Sequence, residues 1–197
     1  MNHARLDEAA EITPGFSNPG AVQHQDNGRF LVIQPRHVHE SGRPVSIGED
    51  HDTRMDLPER AEGYCVMGGD VLFMSRGEKN RAARIDQCAI NAVPTAAFFV
   101  LRPRPGLVDP EYLAWFLNQA PTQAAISQAR TGAGTPIVQR ALFEAICIPL
   151  PPMHQQGYIA HLSELQQKEQ EILGRMTQAV ALRNRSIGLS FLTNTSR

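Results

Sequence analysis

Short apolar segments, separated by Gly, Pro and polar residues, occupy the first 150 residues. Several are strand-sized and are bounded by Gly or Pro. A helix is predicted after Asp109, a favourable N-cap residue followed by Pro110, and it is expected to stop near Ala120. A second helical stretch covers 122–129 and ends in the loop 131–136. Strands without regular strand-helix alternation predict an α+β fold, a small mixed α/β domain. The predicted strands are 29–35, 70–75, 96–101 and 145–149.

The pattern changes after residues 149–152, and one long helix is predicted for the remainder. From His154 to Ile187 there is no proline, and apolar residues recur three and four apart, with some seven apart as in a coiled coil. Such a helix would be about 50 Å long. We expect it to pair with another long helix, and the alternative is a helix folded back on its own domain. The recurring apolar residues would form a stripe along one face of this helix and are Ile159, Leu162, Leu165, Ile172, Leu173, Met176, Val180 and Ile187.

The composition is that of an ordinary globular protein. Of 197 residues, 42% are hydrophobic and 20% are charged, and the mean hydropathy is −0.30. No apolar segment approaches the roughly 18 residues of a membrane span. Residues 1–11 have mixed charge and no apolar core typical of a signal peptide. We therefore expect a cytoplasmic protein with no membrane partner.

The three cysteines are predicted to be buried small hydrophobic residues. Cys65, Cys88 and Cys147 are widely spaced, and neither a Cys-x-x-Cys motif nor a matching His spacing is present. This spacing argues against a disulfide framework and against a zinc site.

Charge is distributed unevenly, although the net charge is only −1. Residues 49–62 contain six acidic and two basic side chains, whereas residues 76–104 contain six basic and two acidic side chains. The basic segment would allow a polyanion to approach one face of the domain. The alternative is a solvated basic edge without a ligand.

Arrangements typical of catalysis are incomplete. Asp70 with Glu78 and Lys79 resembles the residue set of a metal-dependent nuclease, but adjacent residues on a strand point to opposite faces. His37 and His39 could share a strand face as metal ligands, but the sequence offers no third His or Cys at a suitable spacing. A phosphate-binding loop motif is also missing. We therefore expect a non-catalytic protein without a metal or cofactor.

Taken together and in order, several segments resemble the specificity (S) subunits of type I restriction-modification systems. No single segment is diagnostic, but the ordered set spans most of the chain. The segments are 6–15 (LDEAAEITPG), 32–36 (VIQPR), 69–77 (GDVLFMSRG), 99–102 (FVLR), 109–118 (DPEYLAWFLN) and 145–156 (AICIPLPPMHQQ).

The resemblance implies a DNA target recognition domain over residues 1–150 and a spacer and dimerisation helix over residues 151–197. In this family such a domain reads one half of a bipartite sequence in double-stranded DNA, and the helices dock the methyltransferase (M) subunits. Complete subunits have two domains and two helices, so this chain resembles a half-length form. It is expected to form a homodimer or to pair with a second half chain, with M subunits and, where present, a restriction (R) subunit as partners.

Within that family interpretation, the candidate phosphate contacts are Lys79, Arg84 and Arg104, and the candidate base readers are Arg76, Asn80 and Arg81 in the loop that follows a strand. The loop 131–140, with Thr135, Gln139 and Arg140, matches a family stretch near the DNA face. Arginine and lysine suit phosphates, and arginine, asparagine and glutamine suit base edges. For Arg76, the alternative is an ion pair with Asp70 or Glu78. The candidates are Arg76, Lys79, Asn80, Arg81, Arg84, Arg104, Thr135, Gln139 and Arg140.

A second function remains open at this point. The same fold could serve as a protein-protein adaptor or decoy that no longer reads DNA. The acidic segment 49–62 and the near-neutral total charge are compatible with that role.

Overall fold

The computed structural model describes residues 2–39, 41–48, 51–88, 91–132 and 134–194, with side chains for all of these except 167, 171 and 187–194. The chain divides into two compact units, Met1–Ala160 and His161–Arg197. Among the described residues, no helix is both long enough and apolar enough to cross a membrane.

Strands and short helices alternate irregularly before Met153, where one long helix begins. The helices are α1 (Leu6–Ala9), α2 (Pro110–Asn118), α3 (Ala120–Gln128), α4 (Arg140–Glu144) and α5 (Met153–Asn194), with 3-10 turns at Pro35–His37 and Glu59–Tyr64. The strands are β1 (Asn2–Arg5), β2 (Ala10–Pro14), β3 (Phe30–Ile33), β4 (Val45–Ile47), β5 (Arg54–Met55), β6 (Val71–Met74), β7 (Ala82–Cys88), β8 (Ala92–Pro94), β9 (Phe98–Pro103), β10 (Arg130–Thr131), β11 (Ile137–Val138) and β12 (Cys147–Leu150).

A five-stranded sheet in the order β2-β9-β6-β7-β4 forms the centre of this unit. A three-stranded sheet, β5-β3-β8, and the pairs β1-β12 and β10-β11 complete the described topology. Strands β6 and β9 are antiparallel, so that Val71 lies opposite Leu101 and Met74 lies opposite Phe98. Strands β3 and β8 are parallel, as are β4 and β7. This mixture of parallel and antiparallel strands, together with the helices, confirms the predicted α+β class.

The predicted elements are found close to their expected positions. Strands β3, β6, β9 and β12 overlap the four predicted strands. The carboxylate of Asp109 accepts the backbone N–H groups of Glu111 and Tyr112 at 2.9 and 3.0 Å, which confirms the N-cap of α2. Pro121 lies in the first turn of α3, where a missing N–H costs nothing.

Both faces of the central strands are buried. Along β6, Val71 and Phe73 contribute to a core shared with helices α1 to α4, whereas Leu72 contributes to a second core on the opposite face. Strand β9 alternates in the same way, with Leu101 in the first core and Val100 in the second. Two-sided burial explains why these strands have continuous apolar sequences instead of alternating ones.

The first turns of α5 belong to the first unit. Ala160 is buried in its core, and Ile159 packs partly against it. The fully buried amide of Gln156 donates to the carbonyls of Leu107 and Pro151 at 3.1 and 2.8 Å, and it accepts the Asp109 N–H at 2.9 Å. These bonds fix the start of the helix to the loop that precedes α2.

The cysteines depart in part from the prediction. All three are free thiols. Cys65 and Cys88 are partly buried, and burial raises the pKa of Cys88 to about 11. Cys147 is exposed, which corrects the expectation of burial, because Ile148 takes the core-facing position of β12.

A salt bridge closes one end of the β6-β9 pair. The carboxylate of Asp70 is 1% exposed and accepts two hydrogen bonds from the Arg102 guanidinium, at 2.9 and 2.8 Å. It also accepts the backbone N–H of Met67 at 3.0 Å. The ion-pair partner of Asp70 is therefore Arg102, and the alternative ion pair of Arg76 with Asp70 is wrong.

Substitution of Arg102 and substitution of Asp70 should lower the free energy of unfolding by unequal amounts. Arg102→Met leaves a buried carboxylate without its cation and should lower the free energy of unfolding by about 3 kcal/mol. Asp70→Asn keeps an acceptor for Met67 and leaves a guanidinium that is 44% exposed to water, so it should cost less. Urea denaturation would measure both values. Arg104→Met is the control, and equal losses for Arg102→Met and Asp70→Asn would contradict this account.

Candidate nucleic-acid interface

The loop that follows β6 is joined to the β10-β11 hairpin by backbone hydrogen bonds. The Val138 N–H donates to the carbonyl of Ser75, and the Gly77 N–H donates to the carbonyl of Pro136, both at 2.9 Å. Gly77 has a φ of 97°, a conformation that glycine adopts without strain. We define the loop–hairpin surface as residues 75–81 together with residues 130–132 and 134–140.

The loop–hairpin surface is rich in cations. Its sequence contains five basic residues and one acidic residue, Glu78. Arg76 and Lys79 are exposed, and Arg81 and Arg130 are partly buried. The basic residues are Arg76, Lys79, Arg81, Arg130 and Arg140. Folding therefore brings together cations that are more than 50 residues apart in the chain.

Seven of the nine predicted DNA contacts lie on this surface, but they differ in exposure. Thr135 and Gln139 are exposed, as are Arg76 and Lys79. Arg140 is exposed but is held by Glu144 at 2.6 Å and by the carbonyl of Ile12 at 2.6 Å.

Asn80 is directed into the protein. Its side chain is only 1% exposed, and its amide donates to the carbonyl of Met74 at 2.7 Å. We therefore assign Asn80 to holding the base of the loop. Its Oδ1 atom and the Nε atoms of Arg81 and Arg130 are buried without a hydrogen-bond partner among the described residues.

Arg84 and Arg104 lie away from the loop–hairpin surface. The Ser75 N–H bonds to Ala97 just before β9, whereas the Arg104 N–H bonds to Ala9 just after that strand. Six residues of β9 separate these points by about 20 Å. Arg84 lies opposite Val71, at the same far end, and its guanidinium is 3.0 Å from Asp86.

A second cluster of polar side chains lies around Asp52. The Nε2 atom of His37 is 3.0 Å from Asp52 Oδ1, and His51 packs edge-on against His37 with ring centroids 4.4 Å apart. The sequence identified His37 and His39, but His39 contacts Ser41 and the third member is His51. No sequence spacing connected His51 with His37, because the two lie on either side of strand β4 in the chain and meet only in the folded structure.

This cluster fits a hydrogen-bond network better than a metal site. The Nδ1 atom of His37 accepts the Gln34 N–H at 3.0 Å. Its Nε2 atom lies 3.0 Å from Asp52 Oδ1 and 3.1 Å from the Nε atom of Arg36, so both ring nitrogens already have partners. A cation at Nε2 would have to displace the Arg36 guanidinium, which already carries a positive charge at this position. The Arg36 guanidinium also donates to Asp52, at 3.2 Å.

The acidic segment is likewise occupied in part by internal contacts. Glu62 forms an ion pair with Arg29, and Asp56 accepts the backbone N–H of Arg29 at 3.2 Å. The Thr53 hydroxyl donates to Asp52 at 2.8 Å and holds the pKa of that carboxyl below its usual value. These contacts fix the segment that contains β5.

Comparisons with known proteins identify the fold. The S subunit of a type I restriction-modification system from M. genitalium is 12% identical, with a TM-score of 0.59 over 88% of this chain and 40% of that chain. A chain from a study of complex assembly and conformational transition of the type I system is 18% identical, with a TM-score of 0.65 over 91% and 41%. The HsdS subunit from Thermoanaerobacter tengcongensis is 21% identical, with a TM-score of 0.61 over 88% and 39%. The fold is that of the S subunits.

The S-subunit fold confirms the resemblance that the sequence motifs indicated, at the level of structure. The chain spans about 40% of the length of each of these three solved chains. No protein-family model and no curated protein matches the sequence. At these identities the similarity lies in the fold and does not define which bases or partners are recognised.

The second unit of this S-subunit fold carries an exposed apolar stripe. Leu162, Leu165, Ile172, Leu173, Met176 and Val180 are between 46% and 60% exposed. Ile159 belongs to the first unit, where it packs against the core, and the side chain of Ile187 lies outside those described. The stripe therefore runs from Leu162 to Val180 in the described part of the helix.

Arg130 is a member of the loop–hairpin surface that the sequence did not indicate. It directly precedes the Gly-containing loop that the sequence singled out, but it follows a predicted helix and resembled a helix-terminal cation. Its Nη2 atom donates to the carbonyl of Glu78 at 2.9 Å. Only the tertiary contact with loop 75–81 shows that Arg130 belongs to this surface.

The burial of His37 gives the stability a pH dependence. Burial lowers the pKa of His37, with a further contribution from His51, and Asp52 opposes this effect. Below about pH 6.5 the unfolded chain binds a proton at this position more readily than the folded chain, so acidification destabilises the fold. Thermal unfolding at several pH values should show a smaller loss of stability for His37→Asn than for the unmodified chain.

The exposed His39 provides the control for that experiment. His39→Asn should retain the pH dependence of the unmodified chain. An identical pH dependence in His37→Asn would show that the buried imidazole does not contribute.

Proposed function

We propose that the first unit is a DNA target recognition domain of a type I restriction-modification system. It would bind double-stranded DNA and read one half of a bipartite site, and it would deliver M subunits to that site, with an R subunit where the system has one. The observation that carries this proposal is the basic loop–hairpin surface on an S-subunit fold. Such a role belongs to the cytoplasm.

The exposed side chains of the loop–hairpin surface support DNA contact in two ways. Lys79 carries an exposed point charge, which suits phosphate oxygens. Arg76 can form two parallel hydrogen bonds with guanine, and Gln139 can do so with adenine. We assign base reading to Arg76 and Gln139 and backbone contact to Lys79, with Thr135 beside them.

A non-catalytic role is part of the proposal. The two groups that most resembled catalytic residues are engaged elsewhere, because Asp70 is paired with Arg102 and His37 is hydrogen-bonded to Asp52. The chemistry would then reside in the M and R subunits, and this chain would contribute sequence recognition alone.

The helix of the second unit is proposed to pair with another long helix. Its exposed apolar stripe would be buried in such a pair, which is the main driving force for coiled-coil association. The partner is a second copy of this chain or a second half chain. Either pairing would join two recognition domains, as a bipartite site requires.

DNA binding by the full chain should depend on the loop–hairpin surface. Arg76→Ala should weaken binding to preferred sequences by about 1 to 3 kcal/mol, because a bidentate base contact is lost. Lys79→Ala should weaken binding to all sequences and reduce the salt dependence by about one phosphate contact. Fluorescence anisotropy with duplex DNA at several salt concentrations measures both effects.

Arg104→Ala is the matched control, since Arg104 is an exposed arginine at the opposite end of β9. It should leave affinity and salt dependence unchanged. If Arg76→Ala and Lys79→Ala had no effect on the chain's interactions with DNA or on methylation of the host genome, the adaptor or decoy function would replace DNA recognition.

Self-association should depend on the apolar stripe. The full chain is expected to sediment as a dimer, and Leu173→Ser with Val180→Ser should weaken the dimer by about a hundredfold or more, because each buried side chain contributes about 1.5 to 3 kcal/mol. Gln178→Ser is the control, since Gln178 lies about 140° around the helix from Leu173. A monomeric unmodified chain would indicate a second half chain, and an unaffected dimer would contradict pairing through the helix.

A further inference from the structure

The loop of the loop–hairpin surface is anchored at both ends by bonds from within the first unit. At its start, the Ser75 N–H donates to Ala97 at 2.8 Å, and the Ser75 carbonyl accepts from Val138. At its other end, the Asn80 amide donates to Met74. The ends are therefore fixed independently of any ligand, and the conformation of the intervening residues determines where Arg76 and Lys79 lie.

The middle of the loop is held from the hairpin. The Gly77 N–H donates to the carbonyl of Pro136, and the Arg130 guanidinium donates from Nη2 to the carbonyl of Glu78 at 2.9 Å. Arg130 lies opposite Val138 in the β10-β11 pair, so its position is set by that pair. A charged donor on a backbone carbonyl gives a stronger bond than a neutral donor does.

The role of Arg130 therefore differs from that of the exposed cations. Arg130 is partly buried, and its Nε atom is shielded from solvent without a partner among the described residues. A guanidinium that donates to the loop backbone contributes order to the loop, whereas Arg76 and Lys79 are exposed on its surface. Both roles require arginine or lysine, which is why sequence alone does not separate them.

We infer that Arg130 is a positioning residue that fixes loop 75–81 in the conformation that reads DNA. The inference rests on the proposed function and deepens it, because it makes the hairpin a determinant of sequence specificity without direct contact with a base. Loss of Arg130 would leave the middle of the loop held by the Gly77 bond alone, so that Arg76 samples several positions against the base edges. Binding would persist, and the preference among sequences would decline.

The first test measures the free protein and needs no DNA. Hydrogen exchange at the Gly77 and Val138 amides reports on the two backbone bonds that join loop and hairpin. Arg130→Gln should accelerate exchange at Gly77 by about tenfold or more, because the bond to Glu78 is lost. Unchanged exchange would overturn the positioning role, whatever the DNA result.

The second test measures specificity with a library of duplexes that have a randomised central region. Sequences enriched by the full chain are compared with those enriched by Arg130→Gln. The variant should lose about tenfold or more in discrimination between enriched and random duplexes, with little change in salt dependence. A reduced salt dependence with unchanged discrimination would make Arg130 a phosphate contact and would overturn the inference.

Two further variants test for misfolding of Arg130→Gln and distinguish the charge of Arg130 from the backbone conformation of loop 75–81. Arg130→Lys keeps a charged donor and should restore part of the discrimination. Gly77→Ala keeps every cation but strains the loop at a φ of 97°, so it should reproduce the loss of discrimination. If Gly77→Ala left discrimination intact, loop conformation would not govern specificity, and the inference would fail.

The outcomes distinguish this inference from the proposed function. An unmodified chain without affinity for any duplex would remove both the proposed function and the part of Arg130 in reading DNA. A chain that binds DNA with a preference that Arg130→Gln leaves unchanged would overturn the inference alone.

Discussion

Burial of strands β6 and β9 on both faces is the constraint on which the rest of the first unit depends. A strand that is covered on two sides has no solvent-facing position, so polar groups are confined to its ends. At one end Asp70 and Arg102 satisfy each other, and at the other end the chain enters loop 75–81. The β6-β9 pair therefore has a salt bridge at one end and the candidate binding loop at the other. The same constraint explains why a fold can persist at 12% to 21% identity, because many apolar combinations fill such a core.

The sequence predicted the elements whose signals are local. Continuous apolar segments indicated the strands, and Asp109 with Pro110 indicated the start of α2. The absence of proline over many residues indicated the long helix. Strand β7 was not predicted, because Arg84 and Asp86 interrupt its apolar pattern and its strand state depends on pairing with β6 and β4. Strand formation in such a segment is decided by its neighbours.

The candidate site was only partly predictable for the same reason. Asn80 and Arg76 lie in one polar loop, and nothing in the local sequence distinguishes the side chain that turns inward from the one that turns outward. Arg104 belongs to the same basic segment as Arg76, but antiparallel pairing of β6 with β9 carries it to the opposite end of the sheet. The role of Arg130 depends on a contact with Glu78, 52 residues earlier in the chain. Long-range pairing therefore decided which basic residues share a surface.

The hydrogen bonds between loop 75–81 and the hairpin involve main-chain atoms of the loop. Pro136, Ser75 and Glu78 each contribute a carbonyl, and Gly77 and Val138 each contribute an N–H. Main-chain groups are the same whatever side chain is attached, so mutations at positions 76, 78 and 79 leave these bonds available. Side chains at these positions can therefore change without loss of the bonds that hold the loop. A few substitutions at the exposed positions would thus change the chemistry that this surface presents, while main-chain bonds and the Arg130 side chain keep the loop in place.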